Sequence, residues 1–193
     1  AMLASLIYHL RKRTLGEDIS KNRRGIKYKN YLRRCMYNRC MPVPTPTGEK
    51  SFAFMPFDLR DKNEDSEVLK INLIELAGEH VKKLLEEGGG HLQNHGWVSS
   101  PNEKVVTLVI DHDAGSEQEQ ILIQCINLFD QRKALDHVIN LVLIITKVDT
   151  LDIFKDSSYE EMVKISETIL EDQFPILNTT LKLTIDKINR RNK

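Results

Sequence analysis

The stretch LVLIITKVDTLD, residues 141–152, joins an apolar run to a polar segment at Thr146. The apolar part is rich in Leu, Ile and Val and carries no charge, as expected of a strand that is buried on both faces. We therefore predict a strand over residues 138–145, followed directly by Thr146, Lys147 and Asp149. Because open parallel sheets bind ligands beyond the carboxyl ends of their strands, these three polar residues are candidate ligand contacts.

Further strands and helices are predicted on both sides of this strand. Strands are predicted over residues 52–59, 68–74 and 105–110, helices over residues 2–13, 80–87, 116–135 and 157–173, and a last helical or mixed segment over residues 179–191. Ser116 is the candidate N-cap of the third helix, and Pro175 separates the fourth helix from the last segment. Strands that alternate with helices after an initial hairpin predict an α/β fold. We expect a three-layer sandwich with a mostly parallel sheet plus an antiparallel hairpin strand.

The composition is that of one globular domain. The chain has 193 residues, of which 40% are hydrophobic, and its formal net charge is zero. We interpret Ala1 as a remnant of a cleaved tag and expect a single domain over residues 2–193. The neutral charge argues against a surface built wholly for nucleic acid or anionic lipid. Three cysteines give no disulfide framework, and no apolar run has the length that spans a bilayer, so we expect a cytoplasmic protein without a membrane contact.

A basic segment lies near the start of the chain. Residues 11–40 contain eleven Lys and Arg against two acidic residues, with Tyr28, Tyr31 and Tyr37 interleaved. This composition predicts a helical insert with a solvated basic face, which is followed by a Pro-rich loop up to residue 50. The alternative is nucleic-acid binding, in which the cations contact phosphates and the aromatic rings stack on bases.

Two cysteine and histidine pairs resemble half-sites for zinc. Cys35 and Cys40 form one pair, and His91 and His95 form the other. The pairs are some fifty residues apart and lie in unlike contexts, so no zinc is expected.

Two other features carry candidate chemistry. His112 lies between Asp111 and Asp113 just after a predicted strand, where three polar side chains favour either metal or acid–base chemistry or a structural turn. Cys125 falls on the apolar face of a predicted helix, which indicates a small core residue.

The segment Thr146-Lys147-Val148-Asp149 resembles the base-reading motif of Ras-like GTPases, written N/T-K-x-D. In that role the Asp149 carboxylate accepts two hydrogen bonds from the N1 and N2 donors of guanine, which adenine does not offer. The Lys147 stem lies along the base, and its ammonium reaches loop carbonyls. The resemblance thus implies that Thr146, Lys147 and Asp149 bind a guanine nucleotide. The structural alternative is a strand end with a solvated lysine and aspartate.

A second segment, residues 75–79 with the sequence ELAGE, is similar to the D-x-A-G-E/Q turn of the same family. The similarity implies that Glu75, which replaces the usual aspartate, reaches Mg²⁺ through water, and that the Gly78 N–H contacts the γ-phosphate. Glu79 stands where a water-positioning glutamine often lies. A carboxylate there repels the terminal phosphate unless it is protonated, so Glu79 is only a weak catalytic candidate.

The order of the predicted elements is also that of a Ras-like GTPase, over residues 3–173. The Pro-rich loop is similar to the switch I segment, whose threonine coordinates Mg²⁺, and here Thr47 or Thr45 stands for that residue. The resemblance implies a Ras-like GTPase topology that lacks its first strand and its last strand and helix. Residues 174–193 are then a C-terminal helical extension.

The chain departs from that family where the phosphates are held. It contains no G-x-x-x-x-G-K-[ST] motif, whose backbone N–H groups and lysine bind the phosphates. That loop supplies about half a dozen hydrogen bonds of about 1.5 to 3 kcal/mol each, so we expect weak GTP or GDP binding, with Mg²⁺, and no hydrolysis by this chain alone. The open strand edges predict self-association or a partner protein. The alternative functions are a non-catalytic protein-interaction module on a GTPase scaffold, and nucleic-acid binding through residues 11–40.

Overall fold

The computed structural model describes residues 17–18, 26–38, 52–60, 67–76, 78–89, 96–154 and 157–191. The chain comprises two compact units, residues 1–81 and 82–193. The expectation of one domain over residues 2–193 stays a prediction, because the compactness of each unit does not decide whether they fold together. The elements are β1 (Glu17–Asp18), α1 (Ile26–Tyr37), β2 (Phe52–Arg60), β3 (Leu69–Leu76), α2 (Gly78–Glu86), β4 (Lys104–Asp111), α3 (Ser116–Gln131), β5 (Val138–Thr146), α4 (Tyr159–Gln173) and α5 (Pro175–Arg191).

An antiparallel sheet is the centre of the first unit. Its strand order is β1-β2-β3, and the long pairing of β2 with β3 confirms the predicted hairpin. Met55 and Phe57 of β2 are buried. The Lys29 ammonium joins α1 to this strand, since it donates to the Pro56 carbonyl oxygen at 3.0 Å and lies 4.3 Å from the centre of the Phe57 ring.

A parallel pair of strands is the centre of the second unit. β4 and β5 run side by side in a register that puts Asp111 beside Thr146, which confirms the two predicted strands. Helices α3, α4 and α5 pack against one face of this pair. The buried side chains of that core are Leu108, Ile110, Ile126, Phe154, Ile169, Phe174, Leu177 and Leu181.

The opposite face of the parallel pair is largely open. Val105 is 56% exposed and Val109 is 39% exposed, and Thr107 between them is exposed as well. Among the described residues, the second unit therefore has two layers, where the sequence predicts three. The continuous apolar run of β4 predicted burial on both faces, but the alternation of burial along the strand shows a core on one side.

The described strands form two sheets and not one mostly parallel sheet. β1, β2 and β3 are antiparallel, and β4 and β5 form a separate two-stranded parallel sheet. The chain is thus a mixed α/β protein with a small parallel sheet and an antiparallel hairpin. The predicted helix over residues 2–13 lies outside the described residues. In the part of the chain that the structure describes, no helix combines the length and the apolar character that crossing a bilayer requires.

Helix α2 is close to its predicted bounds, beginning two residues early. It ends in a glycine turn in which Gly89 N–H bonds to the Leu84 carbonyl at 2.8 Å. Gly89 has a φ of 68°, and a Cβ there would lie 2.7 Å from the Leu128 Cδ1. The backbone conformation therefore favours glycine at this position, and any larger residue would also displace the end of the Leu128 side chain.

Helix α3 ends four residues before the predicted bound at residue 135. Lys133 adopts a φ of 60°, and the Ala134 N–H bonds back to the Phe129 carbonyl at 2.8 Å, which closes the helix. The prediction of Ser116 as the N-cap is also wrong. Gly115 is the N-cap residue, and it makes no side-chain cap bond.

The last two helices have specific first turns. Ser158 caps α4, and together with Glu161 it forms a reciprocal capping box. Helix α5 begins at Pro175, four residues before the predicted segment, since proline is well suited to the first helical position. The buried Glu119 of α3 accepts hydrogen bonds from the N–H groups of Ile176 and Leu177, at 3.1 and 2.9 Å, and so satisfies the first turn of α5.

Cys125 lies on the buried face of α3, as predicted. Its side chain is buried and its thiol is free. Burial raises the pKa of the Cys125 thiol to about 11, because the thiolate is poorly solvated there.

Candidate functional site

The ends of β4 and β5 form the candidate site in the second unit. The two strands are parallel, so both carboxyl ends lie at one edge of the sheet, with Asp111 beside Thr146. The Thr146 hydroxyl donates to the Ile110 carbonyl at 3.1 Å, and the His112 N–H donates to the Thr146 carbonyl at 3.2 Å. Thr146 therefore joins the two strand ends through both its backbone and its side chain.

Lys147 forms an ion pair with Asp111 across these strand ends. Asp111 Oδ2 contacts the Lys147 ammonium, while Asp111 Oδ1 accepts a hydrogen bond from the backbone N–H of Asp113 at 3.1 Å. The hydrogen bond from Lys147, followed by the bond from the Asp113 backbone, lowers the pKa of Asp111, and the same pairing raises the pKa of Lys147. Both side chains are thus charged at neutral pH.

The backbone of Lys147 has an unusual conformation. Its φ of 60° and ψ of 18° lie in the left-handed region, which costs a residue with a Cβ about 1 to 2 kcal/mol. Its carbonyl accepts two bonds from Thr150, from the N–H at 3.1 Å and from the hydroxyl at 2.7 Å. These bonds hold the short 3-10 helix Val148–Thr150 against the end of β5.

His112 connects the loop after β4 to the same 3-10 helix. Its Nε2 lies 2.8 Å from the Thr150 hydroxyl oxygen. The Thr150 hydroxyl therefore lies between the His112 ring and the Lys147 carbonyl oxygen. The His112 Nδ1 is buried without a hydrogen bond and lies 3.7 Å from Asp111 Oδ1. His112 therefore has the contacts of a structural turn, which was one of its two predicted roles.

The structure brings together part of the predicted base-reading segment. Thr146, Lys147 and the backbone of Asp149 lie within one turn, and the side chain of Asp149 is outside what the structure describes. The contact of Asp111 with Lys147 was missed by sequence reasoning. Thr150 was missed as well, although its spacing of three from Lys147 suits a hydroxyl that closes a turn.

The predicted phosphate and metal residues belong to the first unit or lie outside the described residues. Glu75 is in β3, and Gly78 and Glu79 open α2, but their side chains are not described. Thr45 and Thr47 lie outside the described residues. β3 and β5 belong to different sheets, so the ELAGE and T-K-x-D segments do not lie on strands of the same sheet. Their roles with phosphate and Mg²⁺ stay predictions.

The structure gives little support to the two alternative sites, the zinc site and the basic nucleic-acid-binding segment. Cys40, His91 and His95 of the zinc alternative lie outside the described residues, and within the described ones no cluster of three His, Cys, Asp or Glu side chains is arranged to hold a metal. In the basic segment, Lys29 is buried against β2 and bonded to a carbonyl, so it is not a phosphate contact. Tyr37 of the same helix is exposed.

Comparison with known proteins gave no match. No protein-family model matches the chain, and neither the curated proteins nor the solved structures include a match.

Proposed function

We propose that this chain is a GTPase-like protein with a remnant guanine site at Thr146, Lys147 and Asp149, and that it does not hydrolyse GTP alone. In this proposal its topology is that of a Ras-like domain without the first strand and the last strand and helix. The supporting observation is that the T-K-x-D segment begins at Thr146, the last residue of β5, at the carboxyl edge of a parallel pair of strands. Ligands of such sheets bind at this edge.

The chemistry of the segment suits a base better than a phosphate. The Lys147 side chain is 67% exposed, which leaves its stem open to a flat ring while its ammonium is paired. A carboxylate that accepts two bonds from guanine contributes about 1.5 to 3 kcal/mol per bond before the cost of association. We expect a dissociation constant of about 1 mM, which corresponds to about −4 kcal/mol.

Thermal unfolding with GMP and AMP tests the proposal. At about 10 mM GMP, a dissociation constant of about 1 mM stabilises the chain by about 1.4 kcal/mol, which raises Tm by about 3 to 6 °C. AMP should give no such shift. Asp149→Ala should abolish the GMP shift, whereas Asp152→Ala, which removes an exposed acid from the same loop, should keep it. Equal shifts with both nucleotides, or a GMP shift that survives Asp149→Ala, would contradict the guanine site.

The phosphate and metal roles form a separate part of the proposal. In this part the Gly78 N–H contacts the γ-phosphate, and Glu75 and Thr47 hold Mg²⁺. With these roles, Mg²⁺ should increase the affinity of the chain for GTP but not for GMP. Glu75→Ala should remove that difference without changing the GMP shift.

A second candidate function is a protein-interaction module that self-associates. The open face of the parallel pair favours it, because parallel sheets are normally covered on both faces and Val105 and Val109 are exposed here. Light scattering should show a mass above that of a monomer. The double variant Val105→Glu/Val109→Glu should be monomeric, while Ile176→Glu, at an exposed position of α5, should keep the wild-type mass. A stable wild-type monomer would rule out self-association.

A further inference from the structure

We infer that the guanine site selects the nucleoside part of its ligand, so that without Mg²⁺ it binds guanosine more tightly than GTP. The reason is that Asp111 already neutralises Lys147, the cation at the strand ends. This inference rests on the proposed guanine site and names the ligand class that the site takes. It also gives Asp111 a role as a positioning residue, which acts on the ligand through Lys147.

The loops around the strand ends are rich in acidic residues. The two loops that follow β4 and β5, residues 111–115 and 147–152, contain one lysine and four aspartates. The lysine is Lys147, whose ammonium is paired with Asp111. Asp113 is exposed in the first loop, and Asp152 is exposed in the second. A phosphate group that approaches these loops therefore meets a net negative charge.

The Lys147 backbone and the Asp111 carboxylate are each held by hydrogen bonds. The Lys147 carbonyl is held by two bonds from Thr150, and Thr150 is in turn held by His112. Asp111 in turn accepts a hydrogen bond from the backbone N–H of Asp113 through Oδ1. The ammonium is thus directed to a carboxylate, and the stem of Lys147 is the part that remains open to a base.

Electrostatics then gives the order of affinity. Guanosine is neutral, whereas GTP without Mg²⁺ carries several negative charges. Like charges at about 10 Å in water interact by a few tenths of a kcal/mol per pair, and several pairs weaken GTP binding about threefold or more. The difference is screened by salt, because the Debye length falls from about 10 Å at 0.1 M to about 3 Å at 1 M.

Ligand-detected NMR on the full chain measures the three dissociation constants that decide the question. Guanosine, GMP and GTP are titrated at low salt in a buffer with a chelator that removes Mg²⁺. We expect affinity to fall in the order guanosine, GMP, GTP, with GTP about threefold or more weaker than guanosine. Near about 1 M salt the three values should converge.

Asp111→Asn tests whether Asp111 sets this order. The variant removes one negative charge and releases the Lys147 ammonium, so the ratio of GTP to guanosine affinity should rise about threefold or more. Asp130→Asn is the matched control, because Asp130 is an ion-paired aspartate of the same unit that binds Lys187 and Arg191 instead. Its ratio should equal that of the wild type. If Asp111→Asn does not fold, Asp113→Asn removes a charge from the same loop at an exposed position and should raise the ratio by a smaller factor.

Three results would overturn the inference. Tighter binding of GTP than of guanosine by the wild type would refute it and leave the guanine site intact. Equal ratios in wild type, Asp111→Asn and Asp113→Asn would refute the role of the acidic loop. Failure of all three ligands to bind would refute the guanine site, and the inference would fall with it.

Discussion

The two ends of the second unit contain almost the same chemistry in different surroundings. At the end of α3, Asp130 pairs with Lys187 and Arg191, and Lys133 is left-handed. At the end of β4, Asp111 pairs with Lys147, which is itself left-handed. The first pair joins two helices, and the second joins the ends of two parallel strands. Similar ion pairs thus join helices at one end and lie, at the other, beyond the carboxyl ends of parallel strands, the edge where such sheets generally bind ligands, so position in the fold decides the interpretation.

The largest expected effect tests the core that supports both ends. Ile110, directly before Asp111, is completely buried, while the adjacent Val109 is on the open face. Ile110→Ala should lower the free energy of unfolding by about 3 kcal/mol, because it leaves a cavity. Val109→Ala should cost less than about 1 kcal/mol. Urea unfolding of both variants checks this, and equal losses would show that the open face is packed after all.

A smaller loss should follow from removing the cap of α5. Glu119→Ala leaves the N–H groups of Ile176 and Leu177 without their acceptor, which should cost about 2 kcal/mol. Glu117→Ala, two residues away, removes an exposed glutamate that pairs with Lys82 and should cost less than about 0.5 kcal/mol. The same urea measurement compares them. A similar cost for the two variants would contradict the capping role.

Removing the ion pair at the end of α3 should have a still smaller effect on stability, and that effect should depend on pH. The hydrogen bond from Lys187, followed by that from Arg191, lowers the pKa of Asp130. Its folded pKa is below its unfolded pKa, so its stabilisation is complete above about pH 5 and is lost as pH falls through the folded pKa. Asp130→Asn should therefore cost about 0.5 to 1 kcal/mol at neutral pH and progressively less below about pH 4. Melting curves over this range check it, with Asp172→Asn as control, and a cost independent of pH would contradict the pairing.

The smallest effect distinguishes the two left-handed lysines. Lys133→Gly relieves about 1 to 2 kcal/mol of left-handed strain but adds about 0.5 to 1 kcal/mol of backbone entropy cost, for a net gain of about 0.5 kcal/mol. Lys147→Gly should gain less, because it also loses the ion pair with Asp111. Only Lys147→Gly should weaken GMP binding. Equal GMP affinity in both variants would remove Lys147 from the site.

The sequence predicted the local parts of this picture better than the long-range ones. β5 and its polar end were evident from an apolar run that stops at Thr146. The ion pair of Lys147 with Asp111 was not, because it depends on the register of β4 against β5. The end of α3 was missed because a lysine, not a glycine, takes the left-handed position. The cap that Glu119 gives to α5 was missed for a similar reason, since its partners are more than fifty residues away.

The prediction that β4 is buried on both faces failed for a different reason, because it relied on the local sequence alone. A run of β-branched residues is the usual signature of a strand covered on both sides, yet Val105 and Val109 are exposed. Hydropathy along one strand reports how apolar its two faces are. It does not report whether the rest of the chain supplies enough helices to cover both.

The buried thiol of Cys125 gives the second unit a built-in reporter of opening. With a pKa of about 11, only about one molecule in ten thousand carries the reactive thiolate at neutral pH, and Cys125 is the one cysteine of residues 82–193. A thiol reagent should therefore modify it at the rate at which α3 separates from its neighbours. Timed labelling followed by mass spectrometry of the peptide around Cys125 would follow the breathing of this half of the chain without any added probe.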